Sequence, residues 1–162
     1  MQISEPQILE TQAIELVGIA QDMNLMSMPI AELWKRFRSH EAVRTKSIPN
    51  FYSVQHYHAP VDLQNFSPAA IFTKWAAAPK EFFDDLPEEC VSLFIPEGLY
   101  AQFEVIAPPT AAKEVFGFIY GEWLPKSGYQ LDHRHQLEVL PHDYSTKGDQ
   151  AREVIWIPIV YS

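Results

Sequence analysis

FGFIYGEWLPKSGYQLDHRHQLEVL, residues 116 to 140, holds a helix signal and a strand signal separated by a short polar loop. With Ala112 ahead of them, Phe116, Ile119, Tyr120 and Trp123 recur at helical spacing, so the spacing predicts an amphipathic helix, opened by Pro108-Pro109-Thr110 and ended by Pro125. Gln136-Leu137-Glu138-Val139-Leu140 then reads as a strand with one carboxylate among apolar neighbours. Working outward, LYAQFEVI (99–106) precedes the helix as a strand, itself preceded by the shorter run VSLFI (91–95). REVIWIPIV (152–160) closes the set, and Pro158 is expected to put that strand at an edge or near its own end.

The same order occurs earlier in the chain. AIELVGIAQDM (13–23) is rich in branched residues and reads as a strand. Ser27 as cap and Pro29 in the first turn then open a helix over about 28 to 40, with Ile30, Leu33, Trp34 and Phe37 on one face. FYSVQHYH (51–58) and AAIFTKWAAA (69–78) follow as two strands. The second set lies a near-constant offset of roughly 80 residues beyond the first, which suggests a duplicated β-α-β-β unit. The expectation is one α+β domain, 1–162, with antiparallel sheets and two main helices. Its halves are 1–80 and 91–162, and the acidic loop PKEFFDDLPEEC (79–90) joins them. Each helix must cover its own strands, which leaves a groove between the halves as the natural ligand site.

Composition narrows the function. The chain has 162 residues, 47% of them hydrophobic and 13% aromatic, as in a folded protein with rings to spare for a binding pocket. A formal net charge of -9 argues against direct nucleic-acid binding and favours cationic partners. Cys90 is the single cysteine, so there is no intramolecular disulfide and no cysteine-rich metal site. No secretory leader pattern and no long apolar run is present, from which a cytoplasmic location and no membrane partner are expected. The sequence holds no G-x-S-x-G elbow and no phosphate-cradling glycine loop.

Alternation separates Leu137 and Val139 from Gln136, Glu138 and Leu140. If the Leu137 face meets the helices, Glu138 points away from them, either into solvent or into a cleft where aromatic rings and a carboxylate together attract a lipophilic cation. Leu99, Ala101, Phe103 and Val105 form a core set that leaves Tyr100 opposite. Tyr52 shares a strand face with His56, and Thr73 shares one with Trp75. His133, His135 and Glu138 form an H-x-H-x-x-E string, and His56 and His58 sit on one strand, a pattern that invites a metal. The string falls in a loop and the pairs are far apart in sequence, so no metal site is assigned.

FIPEGLYAQFEV, FGFIYGEWLPKSGYQLDHRHQLEV and EVIWIPIV together resemble the gyrase-inhibitor-like (GyrI-like) effector-binding family, whose domains serve as the ligand modules of AraC-type and MerR-type bacterial regulators. The resemblance is good over about 91 to 160 and fainter over 13 to 78, where element order and LWKRF agree. It implies a duplicated, SHS2-like fold with a pseudo-two-fold axis and a groove between the halves. It also places the family's pocket glutamate on Glu138, with Trp123-Leu124-Pro125 and Tyr100 matching further motif positions. One departure is Leu140, where the family often carries an aromatic.

The implied function is binding of amphipathic, cationic or aromatic small molecules by a stand-alone sensor or sequestering protein, without cofactor. The expected ligand-binding residues are Glu138, Trp123, Tyr100, Trp75, Tyr52 and His56. Alternatives are a hydrolase of reactive small molecules using Glu138 and a tyrosine, and an inhibitor of a protein target such as DNA gyrase, with a homodimer or other protein partner. Heme is a further alternative, since SOUL-type proteins look similar, with His56 or His58 as axial ligand.

Overall fold

A computed structural model describes residues 1–162. The first half runs β1 (Gln2–Ile3), β2 (Gln7–Thr11), β3 (Ile14–Met23), α1 (Ile30–Ser39), α2 (Glu41–Arg44), β4 (Asn50–Tyr57) and β5 (Phe72–Pro79). The second runs β6 (Val91–Ile95), β7 (Gly98–Ile106), α3 (Ala112–Phe118), α4 (Leu124–Lys126), β8 (Tyr129–Leu131), β9 (Gln136–Pro141) and β10 (Arg152–Tyr161). All strand pairs are antiparallel, in the order β1-β7-β10-β9-β4-β5-β3-β6, with β2 also on β7 and β8 also on β10. Read from the central β4·β9 pair, each half repeats the same sequence of neighbours, β4-β5-β3 and β9-β10-β7. This is the duplicated unit expected from the sequence, built as an antiparallel α+β fold.

The short lead-in strands are exchanged. Chain-adjacent to β3, β2 pairs instead with β7, and β6, chain-adjacent to β7, pairs with β3. The two ladders share one register, Thr11 opposite Gly98 and Ile14 opposite Ile95, so they form one ribbon that ties the outer edge of each half to the other. The sheet thereby curls around a core drawn from both halves: Leu16, Val54, Ala77, Ile95, Tyr100 and Leu137, with Tyr52, Trp75 and Trp156 packed against it. A curled sheet leaves fewer unpaired edges.

The other face carries the helices. On α1, Leu33 and Phe37 are fully buried against Val17, Ile19, Phe51, Phe72 and Ala76, each such side chain contributing about 2–3 kcal/mol of apolar burial. Val115 of α3 and Leu124 of α4 pack likewise with Phe103, Ile155 and Ile157. Two separate helix-covered cores result, side by side on one face.

Three local expectations are corrected. Ser27 does not cap α1, which starts at Ile30 with no side-chain cap; Ser27 instead bridges Asn24, whose Oδ1 accepts its N–H and that of Met26. Pro125 does not end the second helix. A π-helical turn over Ile119–Trp123 links α3 to α4, and the helix continues through Pro125 to Lys126. The wider turn accommodates a residue that lacks an N–H and whose ring would clash with a regular preceding turn. Finally, of the two places allowed for Pro158 the edge is overturned while the position toward the strand's end holds: β7 flanks β10 on one side, and on the other β9 pairs with Val154–Trp156 and β8 with Ile159–Tyr161. Pro158 falls in the gap between the last two ladders, where one missing donor is tolerated.

Candidate functional site

The centre of the sheet is the β4·β9 pair, with Ser53 opposite Glu138 and Gln55 opposite Gln136; on the far side of β9, Glu138 faces Ile155. Directly opposed residues share a face. Ile155 lies in the core under α3, and Ser53 is opposite Ala76, which lies in the core under α1. Glu138 therefore projects on the helix-bearing face, between the two helix-covered cores. The alternative in which the Leu137 face meets the helices is overturned: Leu137 is fully buried in the core inside the curl.

Polar and aromatic groups stand on this face near Glu138. Lys74, on β5, is only 4% exposed. Its Nζ lies 3.9 Å from Glu138 Oε1 and donates to Gln55 Oε1 at 3.4 Å. From the helix side, the Tyr120 hydroxyl donates to Gln136 Oε1, and burial, followed by the charges of Tyr57 and Glu138, raises its pKa above the ordinary phenol range. Tyr57 is half-buried against the first core and meets Phe66 edge-on at 5.8 Å. Beyond Glu138, Glu153 accepts a 2.6 Å hydrogen bond from Tyr144. Burial pushes the Glu153 carboxyl up to about 7, with Glu138 adding repulsion. A cavity of about 510 Å³ opens beside Glu153, between Gln2, Asn50, Pro141 and Arg152.

The arrangement can hold a cation at a carboxylate, stack rings on tyrosines, and keep or release a proton near neutral pH.

The six expected ligand residues divide between two faces. Glu138 and Trp123 are on the helix side, but Trp123 packs edge-on to Phe103 at 5.0 Å and stacks on Tyr129 within the second-half core. Tyr52, Trp75 and Tyr100 point into the curl, on the opposite face. So does His56, opposite Thr73, next along from Val54 and Trp75. The structure thus does not bring these four together with Glu138.

They belong instead to a cluster closed by the loop at 132–135. The His56 ring lies 4.7 Å from that of His133 and 4.5 Å from that of His135, and Trp75 lies 5.5 Å from His135. The imidazole rings are tilted to each other by 34° and 32°, and no three His, Cys, Asp or Glu donors converge on a point that could hold a metal ion. His58 is engaged elsewhere, within 2.9 Å of Thr73 Oγ1 and 3.3 Å of Asp22. Burial, with neighbouring imidazoles adding to it, lowers the His135 pKa to about 4 and lowers that of His56. Arg134 pins the loop down: it donates to Leu99 O and Ile159 O, pairs with Asp132 at 2.6 Å and lies 4.7 Å over the Tyr100 ring.

Lys74, Tyr57, Tyr120, Gln136, Tyr144 and Glu153 are the polar and aromatic groups on this face that sequence reasoning missed. A signal existed for two of them. Lys74 alternates with Phe72, Ala76 and Ala78, and Glu153 alternates with Ile155, Ile157 and Ile159, so each is a lone charge on an apolar strand face.

Comparison with known proteins agrees with this architecture. Among solved structures, an integron cassette protein from the mobile metagenome of Vibrio cholerae is similar over 98% of this chain and 97% of its own, at 15% identity and a TM-score of 0.70. SAV2435, solved bound to tetraphenylphosphonium, is similar over 97% and 94%, at 14% identity and 0.68. The EcmrR C-terminal domain is similar over the full length of both chains, at 11% identity and 0.68. At such identities these likenesses speak for the fold. Among curated proteins no relative matches. No helix is long and apolar enough to cross a membrane. The family described as Cass2, integron-associated effector binding protein, matches residues 7–159, and the chain belongs to that family, within the GyrI-like effector-binding fold.

Proposed function

We propose that this protein binds amphipathic aromatic cations in the groove between its helix-covered cores, with Glu138 as counter-charge, and acts as a sensor or sequestering protein for them. The observation that carries the reading is the position of Glu138: a carboxylate with a side chain 20% exposed, on the helix face, near the Tyr120 phenol. A carboxylate in so little water attracts a cation more strongly than a surface one, and the phenol ring adds cation–π contact. By analogy, tetraphenylphosphonium, the cation bound by SAV2435, is a suitable first ligand.

Isothermal titration of tetraphenylphosphonium into wild type and Glu138→Gln tests the reading. Saturable binding that weakens by about ten-fold or more in the variant, about 1.4 kcal/mol, is expected. Binding that is absent, or indifferent to the substitution, overturns it.

A second reading is favoured by the phenol of Tyr120 standing close enough to Glu138 to feel its charge. A carboxylate as general base and a phenol as proton donor could hydrolyse a reactive small molecule. Loss of the added compound over time, abolished by both Glu138→Gln and Tyr120→Phe, would distinguish turnover from binding.

A further inference from the structure

The groove holds a positive charge as well as a negative one. Lys74 is buried, with a side chain 5% exposed, yet its three N–H donors find one acceptor at 3.4 Å and a carboxylate oxygen at 3.9 Å, beyond hydrogen-bond range. A buried ammonium so loosely held is costly to the folded protein. Its strand neighbours on that face, Phe72, Ala76 and Ala78, are apolar and fully buried, so Lys74 is the one charge in that row. Ser53, the small residue opposite Glu138, lies on the strand between Lys74 and that carboxylate.

Charge balance sharpens the point. Glu138 and Lys74 cancel, and Glu153, with its proton held to about pH 7, adds only part of a charge at neutral pH. A plain monocation must therefore share Glu138 with Lys74 and meets a nearly neutral groove floor. A ligand with both a cationic and an anionic group meets two complementary poles, and it supplies the ammonium with an acceptor beyond the long contact to Gln55.

We propose that Lys74 is a specificity-determining residue, and that the preferred ligands are dipolar aromatic compounds, carrying a cationic centre for Glu138 and a carboxylate or similar anionic group for Lys74. This deepens the cation-binding reading of the groove and rests on it. Lys74 then weakens the binding of simple lipophilic cations relative to zwitterionic ones without abolishing it.

The test is a matched pair of probes: tetraphenylphosphonium, and the same cation with a carboxylate on one ring in the meta or para position. Each is titrated calorimetrically into wild type, Lys74→Met, Lys74→Arg and Glu138→Gln. The expected result is that wild type binds a carboxylated probe about ten-fold or more tightly than the parent, that Lys74→Met abolishes the preference, and that Lys74→Arg retains it.

Equal affinities in wild type, or a preference for the parent cation, overturn the proposal, and so does a preference that survives in Lys74→Met. If Lys74→Met does not fold, the wild-type comparison and Lys74→Arg still decide. Tetraphenylphosphonium binding that depends on Glu138 without any gain from the carboxylate removes this proposal and leaves the cation-binding reading standing. Failure of all probes to bind wild type removes both.

Discussion

The ammonium of Lys74 stands 3.9 Å from a carboxylate oxygen of Glu138, two strands away across the sheet. The pair is asymmetric, because the Lys74 side chain is 5% exposed and that of Glu138 20%. Removing Glu138's charge strands an ammonium that has little contact with water. Removing Lys74 leaves a carboxylate that still touches solvent.

Glu138→Gln is therefore expected to cost about 2–4 kcal/mol of stability, whereas Lys74→Met, which removes a costly buried ammonium, should change it by less than about 1 kcal/mol. The double variant should fall short of their sum, since once one charge is gone the other no longer has a partner to lose. Urea denaturation of the four proteins measures this, and strict additivity would show that the two charges do not interact.

Close backbone approach governs Gly18 on β3. A Cβ there would lie 2.7 Å from Cα and Cβ of Ala77 and run into the Ala76 carbonyl oxygen, and backbone cannot move aside as a flexible side chain can. Gly18→Ala is expected to destabilise by about 1–3 kcal/mol, although it adds a single methyl and improves the residue's intrinsic conformational preference. Thermal melts of the variant check it, and an unchanged midpoint would mean that β3 and β5 are free to separate.

Element order was legible because helix and strand periods differ: Leu33 and Phe37 on α1, and Ala101, Phe103 and Val105 on β7, are buried as their spacing implies. Which face of β9 carries the site was not. Leu137 is buried inside the curl while Glu138, with a side chain 20% exposed, lies on the helix-bearing face, so both faces of the strand are covered, and alternation separates faces without saying what covers each. Lys74 was obscured for a related reason, since FTKWAAA is apolar on both faces and Trp75 is its most conspicuous member. The exchange of β2 and β6 left no trace, because a five-residue strand does not specify its partner.

Pro125 offers a check on the π-helical turn. In a regular helix interior, replacing proline by alanine would recover about 3 kcal/mol. Here the turn over Ile119–Trp123 already relieves the clash, so Pro125→Ala is expected to change stability by less than about 1 kcal/mol. A large gain in thermal stability would mean that Pro125 imposes strain and that the turn is its consequence.

Two buried clusters on opposite faces give the protein opposed pH dependences. Glu153, facing Glu138, Lys74 and Tyr144, has its carboxyl raised to about 7, mainly by burial. The native state therefore holds a proton that the unfolded chain has released, and this group's contribution to stability falls as pH rises from about 4.5 to 7. His135, packed against His56, is lowered to about 4 from 6.5, again mainly by burial, with His56 and His133 contributing. Here the unfolded chain binds the extra proton, so stability is full above 6.5 and is lost as pH falls toward 4. Between about 4.5 and 6.5 the two slopes oppose each other, which makes the wild-type profile flatter than either alone. Glu153→Gln should expose the histidine slope, with stability rising steadily with pH across that window. His135→Asn should weaken that slope and tilt the profile toward Glu153, leaving only the smaller contribution of His56, whose pKa is also lowered. Urea midpoints of wild type and both variants at half-unit pH steps make the measurement, and parallel profiles for all three would mean that neither group titrates as its burial implies.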